Sequence, residues 1–483
     1  MRAKRAEESL SAISSGNTQR PKTLPTAAED QAFSELPKSM QDEVSRQFVW
    51  RDIQDVRRKL QATETLVLVR RIGPRKGEDS EQQAQYLAWI IPPEGSERVR
   101  MVSLGYAEYI EGWIDKAMPR TFAITSAIEA KGEKQAALQH NTLLKIVADD
   151  VWKRIAIHLP DNTNRLALCL DGDLMRLPWA GLPTTTDGRT VLDDFTLRFL
   201  SSPRDLFVNH NTTGLSSPVM IAATDYLVSQ NTAFNKMDPE ELYQLVLHQV
   251  RVPDTIIDGD EYLPDTRDEL DATEELFRKW NQRDRALRVN DNAVQLVFLQ
   301  MERPQALHLS TKNYMKPARL LLPDEFRLDD AVKLLPEPAR QPMDPLQQCA
   351  IRLGGRGGST LADGLMTGHE IVSQDLRGTR LVVLSRAPKS QSATADRGAG
   401  DGLLPHIFQM AGARSVVTTI WGEDIKDSAM IAVTKAFYKH LASGKSKSDA
   451  LRAAQLEARD ARVEQNGAAH PFYWAGFRIT GEG

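Results

Sequence analysis

The chemistry-bearing residues of this chain gather where apolar, strand-like runs end in polar tips. ALHLSTKNY (306–314) is a buried run that gives way to Lys312 and Asn313. LRGTRLVVLSRAPKS (376–390) is a second, closing on Ser385, Arg386 and Lys389. In an open α/β sheet, groups just beyond the carboxyl ends of neighbouring strands are where ligands bind and reactions occur. Lysine and arginine at such ends suit anions: a carboxylate, a phosphate or an acidic peptide, with arginine able to hold two oxygens at once. Generic signatures are scarce. The chain has no Walker A sequence, no G-x-S-x-G elbow and no histidine pair at metal-ligand spacing. GGRGGST (354–360) resembles a phosphate cradle but lacks the Lys-Ser/Thr that follows one, so it reads as a turn. The pattern calls for neither a metal nor a cofactor.

The elements that position these tips follow from hydropathy. Short apolar runs at Thr65–Val69, Tyr86–Ile91, Val99–Leu104, Leu166–Leu170 and Phe195–Leu200 read as strands. So do Pro218–Ala223, Ala286–Val289, Ala306–Ser310, Leu381–Ser385 and Ser415–Ile420. Most are continuously apolar rather than alternating, the pattern of parallel strands covered on both faces. Helical spacing is expected over about 38–62, 108–116, 133–158, 270–281, 292–301, 402–411, 427–442 and 447–462. Strands alternating with helices imply an α/β layer architecture. Residues 254–275 carry ten Asp or Glu and one basic residue, Arg267. They read as a solvated helix face and its approach, or as an acidic lid over a cationic cleft.

Length and composition bound the rest. The chain has 483 residues, 41% hydrophobic and 26% charged, which excludes collagen-like, coiled-coil and wholly disordered classes. A net charge of −4 offers no cationic field for nucleic acid or an anionic membrane. Two cysteines, Cys169 and Cys349, cannot frame a disulfide-rich domain. The apolar runs are strand-sized and residues 1–37 have no signal-peptide core, so the expectation is a cytoplasmic protein.

Five stretches taken in order resemble the CHAT family, caspase-like proteins associated with tetratricopeptide repeats. They are CLDGDLMRLPWAGLP (169–183), ALHLSTKNY, LRGTRLVVLSRAPKS after TGHEI (367–371), AGARSVVTTIWGED (411–424) and HPFYWAGFRITG (470–481). The likeness runs from about residue 60 to the end. It implies an α/β fold of two caspase-like units with mostly parallel sheets flanked by helices. The parts would be a lead-in and amphipathic helix over 1–62, an N-terminal caspase-like half over 63–210, and a C-terminal CHAT domain over 215–483.

The resemblance also implies a clan of cysteine peptidases, in which a cysteine attacks the peptide carbonyl and a histidine handles the proton. Both positions depart from that pattern. A typical member reads His-Leu-Ala-Thr-His-Gly; this chain reads His308-Leu309-Ser310-Thr311-Lys312-Asn313. Where a member reads Leu-Ser-Ala-Cys, this chain reads Leu384-Ser385-Arg386-Ala387. Ala387 has no nucleophilic atom, and a charged lysine is a poor base. A displaced Ser385–His308 dyad is the residual catalytic option, and Cys349 reads as a buried thiol. The expectation is a catalytically inactive homologue acting as a scaffold or regulator in a bacterial signalling or defence assembly, with a repeat protein or a peptidase as partner. Lys312, Asn313, Ser385, Arg386 and Lys389 would line its cleft. Two alternatives stay open: an active cysteine endopeptidase if Ala387 is an engineered substitution, and a sensor of an anionic ligand or acidic peptide.

Overall fold

The computed structural model describes residues 52–73, 83–119, 121–184, 188–208, 214–222, 265–283, 286–290, 298–311, 313–315, 346, 349–353, 365–385, 389–390, 397–421 and 427–483. The chain divides into Met1–Asp52 and Ile53–Gly483. Of the first unit only Asp52 is described, so the lead-in and the front of the 38–62 helix lie outside the described residues. In the second unit, α1 (Ile53–Lys59) carries the described part of that helix.

Every run expected to be a strand is one. In chain order they are β1 (Glu64–Ile72), β2 (Gln85–Ile91), β3 (Arg100–Tyr106), β4 (Arg165–Cys169), β5 (Thr196–Phe199), β6 (Val219–Ala222), β7 (Leu287–Asn290) and β8 (Leu307–Ser310). Beyond them come β9 (Asn313–Met315), β10 (Cys349–Arg352), β11 (Leu365–Thr367), β12 (Val382–Leu384), β13 (Lys389–Ser390), β14 (Ser415–Thr419) and β15 (Phe477–Gly481). Eleven form one sheet in the order β3-β2-β1-β4-β5-β15-β14-β12-β8-β6-β7. It is parallel except at β3-β2-β1 and at β14–β15. The mostly parallel α/β class therefore holds, and the two halves share a single sheet, joined where β15 lies parallel to β5. A second, four-stranded sheet runs β11-β10-β9-β13. Its strands are only two to four residues long, too short for a hydropathy pattern to reveal.

Helices cover both faces: α2 (Ala107–Ala117), α3 (Thr121–Lys131), α4 (Glu133–Asp150), α5 (Asp265–Asn281), α6 (Gly368–Val372), α7 (Arg397–Met410), α8 (Asp427–Ala442) and α9 (Lys447–Asn466). Strand alternation sorts the central residues into two layers. Met220, Ala222, Val383 and Val417 join Leu270 and Phe277 of α5 and Val433 and Phe437 of α8. Val219, Ile221, Leu307, Leu309, Val382 and Leu384 join Leu404, Ile407 and Phe408 of α7. Both faces are dry, which is why β6, β8, β12 and β14 are buried along their whole length.

HPFYWAGF latches the C-terminus onto this frame. Phe472 meets Trp421 edge-on at 5.5 Å between centroids. A Cβ on Gly476 would come within 2.2 Å of the Trp421 ring, so glycine is required by contact rather than by backbone angle. Arg462 holds Glu133 with two hydrogen bonds and stacks on Tyr473 at 3.6 Å. His470 and His140 are buried together, with Nε2 of one 3.1 Å from Nδ1 of the other. Burial lowers the pKa of His140 to about 4 and of His470 to about 3, the latter helped by the charges of His140 and Arg462. In the unfolded chain both take up protons near the free value of about 6.5. The unfolded state thus binds more protons below that value, and stability falls as the pH drops through the window. From pH 6.5 to pH 5, where carboxylates stay ionised, the expected loss is about 2 kcal/mol per histidine. A urea midpoint that stays flat across this window, or an unchanged slope in His140→Phe, contradicts the assignment.

Candidate functional site

The two strands expected to flank a cleft are neighbours. β8 and β12 run parallel, with Leu309 opposite Leu384, so their carboxyl ends sit side by side. The backbone N–H of Ser385 donates to the Leu309 carbonyl at 3.2 Å. Beyond the ends, the same two chain segments meet again. β9 and β13 pair in parallel in the small sheet, with Tyr314 opposite Lys389. Asn313 and Lys389 therefore lie on paired strands, while Lys312, Arg386 and Ala387 lie outside the described residues. β8 ends at Ser310 and the chain then enters a different sheet, so the strand alternation that would place His308 and Lys312 on one face stops short of Lys312.

The displaced dyad is not assembled among the described residues. Ser385 is buried, and its hydroxyl donates to the Leu309 carbonyl at 3.4 Å. His308 is buried as well, engaged with other partners. Its Nδ1 lies 3.1 Å from the Tyr438 hydroxyl, and its Nε2 lies 3.3 Å from Oε1 of Glu269. The second Glu269 oxygen accepts a 2.7 Å hydrogen bond from the Ser310 hydroxyl. Phe277 closes the group, 5.2 Å from Tyr438 and 6.5 Å from His308. Burial, with the nearby Glu269, pushes the Tyr438 hydroxyl well above its ordinary pKa, so it stays protonated.

This Glu269–His308–Tyr438–Ser310 group ties β8 to two helices directly beneath the strand end. α5 presents Glu269, Leu270, Thr273 and Phe277 to the sheet and leaves Asp268, Asp271 and Glu275 in solvent. The described part of the acidic segment is thus a covering helix with a solvated face, and residues 254–264 lie outside the described residues. The hydropathy pattern missed Glu269 and Tyr438. Glu269 was one acidic residue among ten, and only its place on the inward stripe of α5, four residues before Thr273 and eight before Phe277, sets it apart.

Both cysteines are internal. Cys349 lies in β10, fully buried. Cys169 closes β4, and burial raises its thiol to about 11, beyond the range of a neutral-pH nucleophile. The described residues contain no group of His, Cys, Asp and Glu fit to hold a metal ion, and no described helix is long and apolar enough to cross a membrane. A depression of about 610 Å³ lies away from the strand ends, walled by Leu138, Asn141, Lys145, Val463 and Trp474. GGRGGST and Asp424 lie outside the described residues.

A family model described as the CHAT domain matches residues 138–482, from within α4 to the end of β15. The antiparallel strands β1–β3 precede the matched region. No curated protein matches the chain.

The buried group carries a stability prediction. Removing one partner of a buried polar cluster leaves the others desolvated and short of a partner. Glu269→Ala should cost about 3 kcal/mol in urea unfolding, whereas Asp271→Ala on the solvated face of the same helix should fall within about 0.5 kcal/mol. Equal effects of the two would remove the distinction.

Proposed function

The chain belongs to the CHAT-domain family, related to caspase-like peptidases, and from that membership we propose that it is a catalytically inactive homologue that binds a protein partner at the altered cleft. The observation that carries the reading is the pairing of residue types with strand ends. Lys312 and Ala387 stand where the family pattern has its base and its nucleophile, two and three residues beyond the neighbouring strand ends at Ser310 and Leu384. Alanine offers no atom for attack on a carbonyl. Replacements from nearby are disfavoured: Ser385 and His308 are each engaged with other partners, and both cysteines are buried.

What remains is a recognition surface. The parallel pairing of β9 with β13 supports a mouth to which Lys312, Asn313, Arg386 and Lys389 all contribute. Three cations in place of a neutral His–Cys pair favour an acidic segment of the partner, held by charge-assisted hydrogen bonds. A repeat protein or a peptidase, acting within a signalling or defence assembly, is the partner class that the family context suggests.

Two experiments test this reading. The chain and its Lys312→His/Ala387→Cys variant are incubated with a thiol-reactive probe and a mixed peptide library. Labelling and cleavage are expected in the variant alone; cleavage by the chain as it stands would overturn the proposal. Lys312→Ala/Arg386→Ala should weaken binding of an acidic peptide on the order of tenfold, with the thermal midpoint nearly unchanged. Equal binding by the double variant would exclude the cationic cleft as the recognition surface.

A further inference from the structure

The opposite end of the same sheet holds a second cationic cluster, made from residues with no part in the cleft. Arg380 and Arg414 precede β12 and β14, Lys447 opens α9, and Glu482 follows β15. They converge because β12 and β14 are parallel neighbours and β15 returns antiparallel, with Gly481 opposite Ser415. Lys447 Nζ donates to the Ser415 hydroxyl at 2.6 Å, to the Arg380 carbonyl at 3.3 Å and to Glu482 at 3.2 Å. Arg414 donates to the other Glu482 oxygen at 2.6 Å. The Arg380 guanidinium lies over the Trp280 ring at 4.7 Å, a face contact that leaves its edge donors free for an in-plane acceptor.

Charge does not balance here. Arg414 and Lys447 share the Glu482 carboxylate with Arg380 nearby, and Asp449, two residues after Lys447, is taken by Arg165, Ser446 and Thr196. Burial lowers Lys447 to about 8, and the positive charges of Arg414 and Arg380 oppose its protonation while Glu482 favours it. Burial and the charge of Arg414 likewise lower the pKa of Arg380. Arg414 Nε is buried without a hydrogen-bond acceptor, an arrangement that costs free energy unless something supplies one. Glu482 is the most exposed member, at 44%, against 23% for Arg414 and 14% for Lys447. It caps the cluster from the solvent side.

We propose that Arg380, Arg414 and Lys447 form a binding site for a phosphate-type oxyanion, with Glu482 holding the place of the anion until one arrives. With Glu482 displaced, three positive charges face the phosphate dianion. The tetrahedral oxygens match donors set at different angles: the Arg414 edge, the Lys447 ammonium and the Arg380 edge. The anion displaces the Glu482 carboxylate, whose exposed position lets it swing into water.

The test is the unfolding midpoint of the full chain titrated with inorganic phosphate, compared with potassium chloride at matched ionic strength. A ligand that binds only the folded state raises the midpoint in a saturable way, and phosphate alone is expected to do so. Arg380→Gln should weaken the apparent phosphate affinity on the order of tenfold, and Glu482→Gln should strengthen it by removing the competing carboxylate. Lys134→Ala, on the exposed side of α4 and outside both clusters, should respond as the parent does. Coincident phosphate and chloride curves would overturn the proposal, as would an Arg380→Gln response equal to the parent's. Arg380 and Glu482 are surface-reaching side chains, so the variants remain informative if Arg414→Gln fails to fold.

Discussion

A parallel sheet covered on both faces has no wet side, and this constraint organises the molecule. Strands β6, β8, β12 and β14 must be apolar in both directions, so polar side chains are driven to the two ends of the sheet. The carboxyl ends of β8 and β12 lie side by side, and the amino ends of β12 and β14 gather Arg380, Arg414 and Lys447. A polar group that stays inside has to find its partners there, since burying it unpaired costs more than its hydrogen bond returns.

In the C-terminal half Ser310 donates to Glu269, and His308 and Tyr438 lie within hydrogen-bonding distance of each other. A similar solution appears in the N-terminal half, where Tyr86 and Arg71 both donate to Glu111 and the Tyr86 hydroxyl accepts from the Asp173 backbone. Gly172 sits in the left-handed region at φ 58°, and a Cβ there would come within 2.3 Å of the Tyr86 hydroxyl. The DGDL motif is thus the turn that lets the backbone approach this buried tyrosine. In the same way HPFYWAGF supplies contacts rather than chemistry. Its histidine is paired in the dark with His140, and its glycine makes room for Trp421.

These contacts separate the persistence of a fold from the persistence of its reaction. A nucleophile and a base occupy two positions at strand tips, where a change of side chain disturbs little packing. The groups beneath the tips are embedded in both helical layers. Residues beyond the ends of β8 and β12 can depart from the peptidase pattern while the strands and their covering helices stay in register. The motifs of the family likeness are mostly of the second kind: they lie in buried strands, tight turns and the C-terminal latch.

The sequence by itself determined the α/β class, ten of the eleven strands of the large sheet and most of the helices, because continuous apolar runs and helical spacing are local signals. It also carried the expectation of two altered strand tips, since residue type alone says that alanine cannot attack a carbonyl. It did not reveal that the halves share one sheet: the joining strand β15 is a terminal segment whose pairing with β5 and β14 depends on residues nearly 280 and about 60 positions away. The small sheet was also hidden, its strands being too short to show a period. Only the tertiary structure decided that Glu269, among ten acidic residues, reaches His308, and that Arg414 and Lys447 share the Glu482 carboxylate with Arg380 nearby. Such groupings come from which strands lie side by side, a long-range outcome of burying both faces of the sheet at once, and no spacing along the chain encodes them.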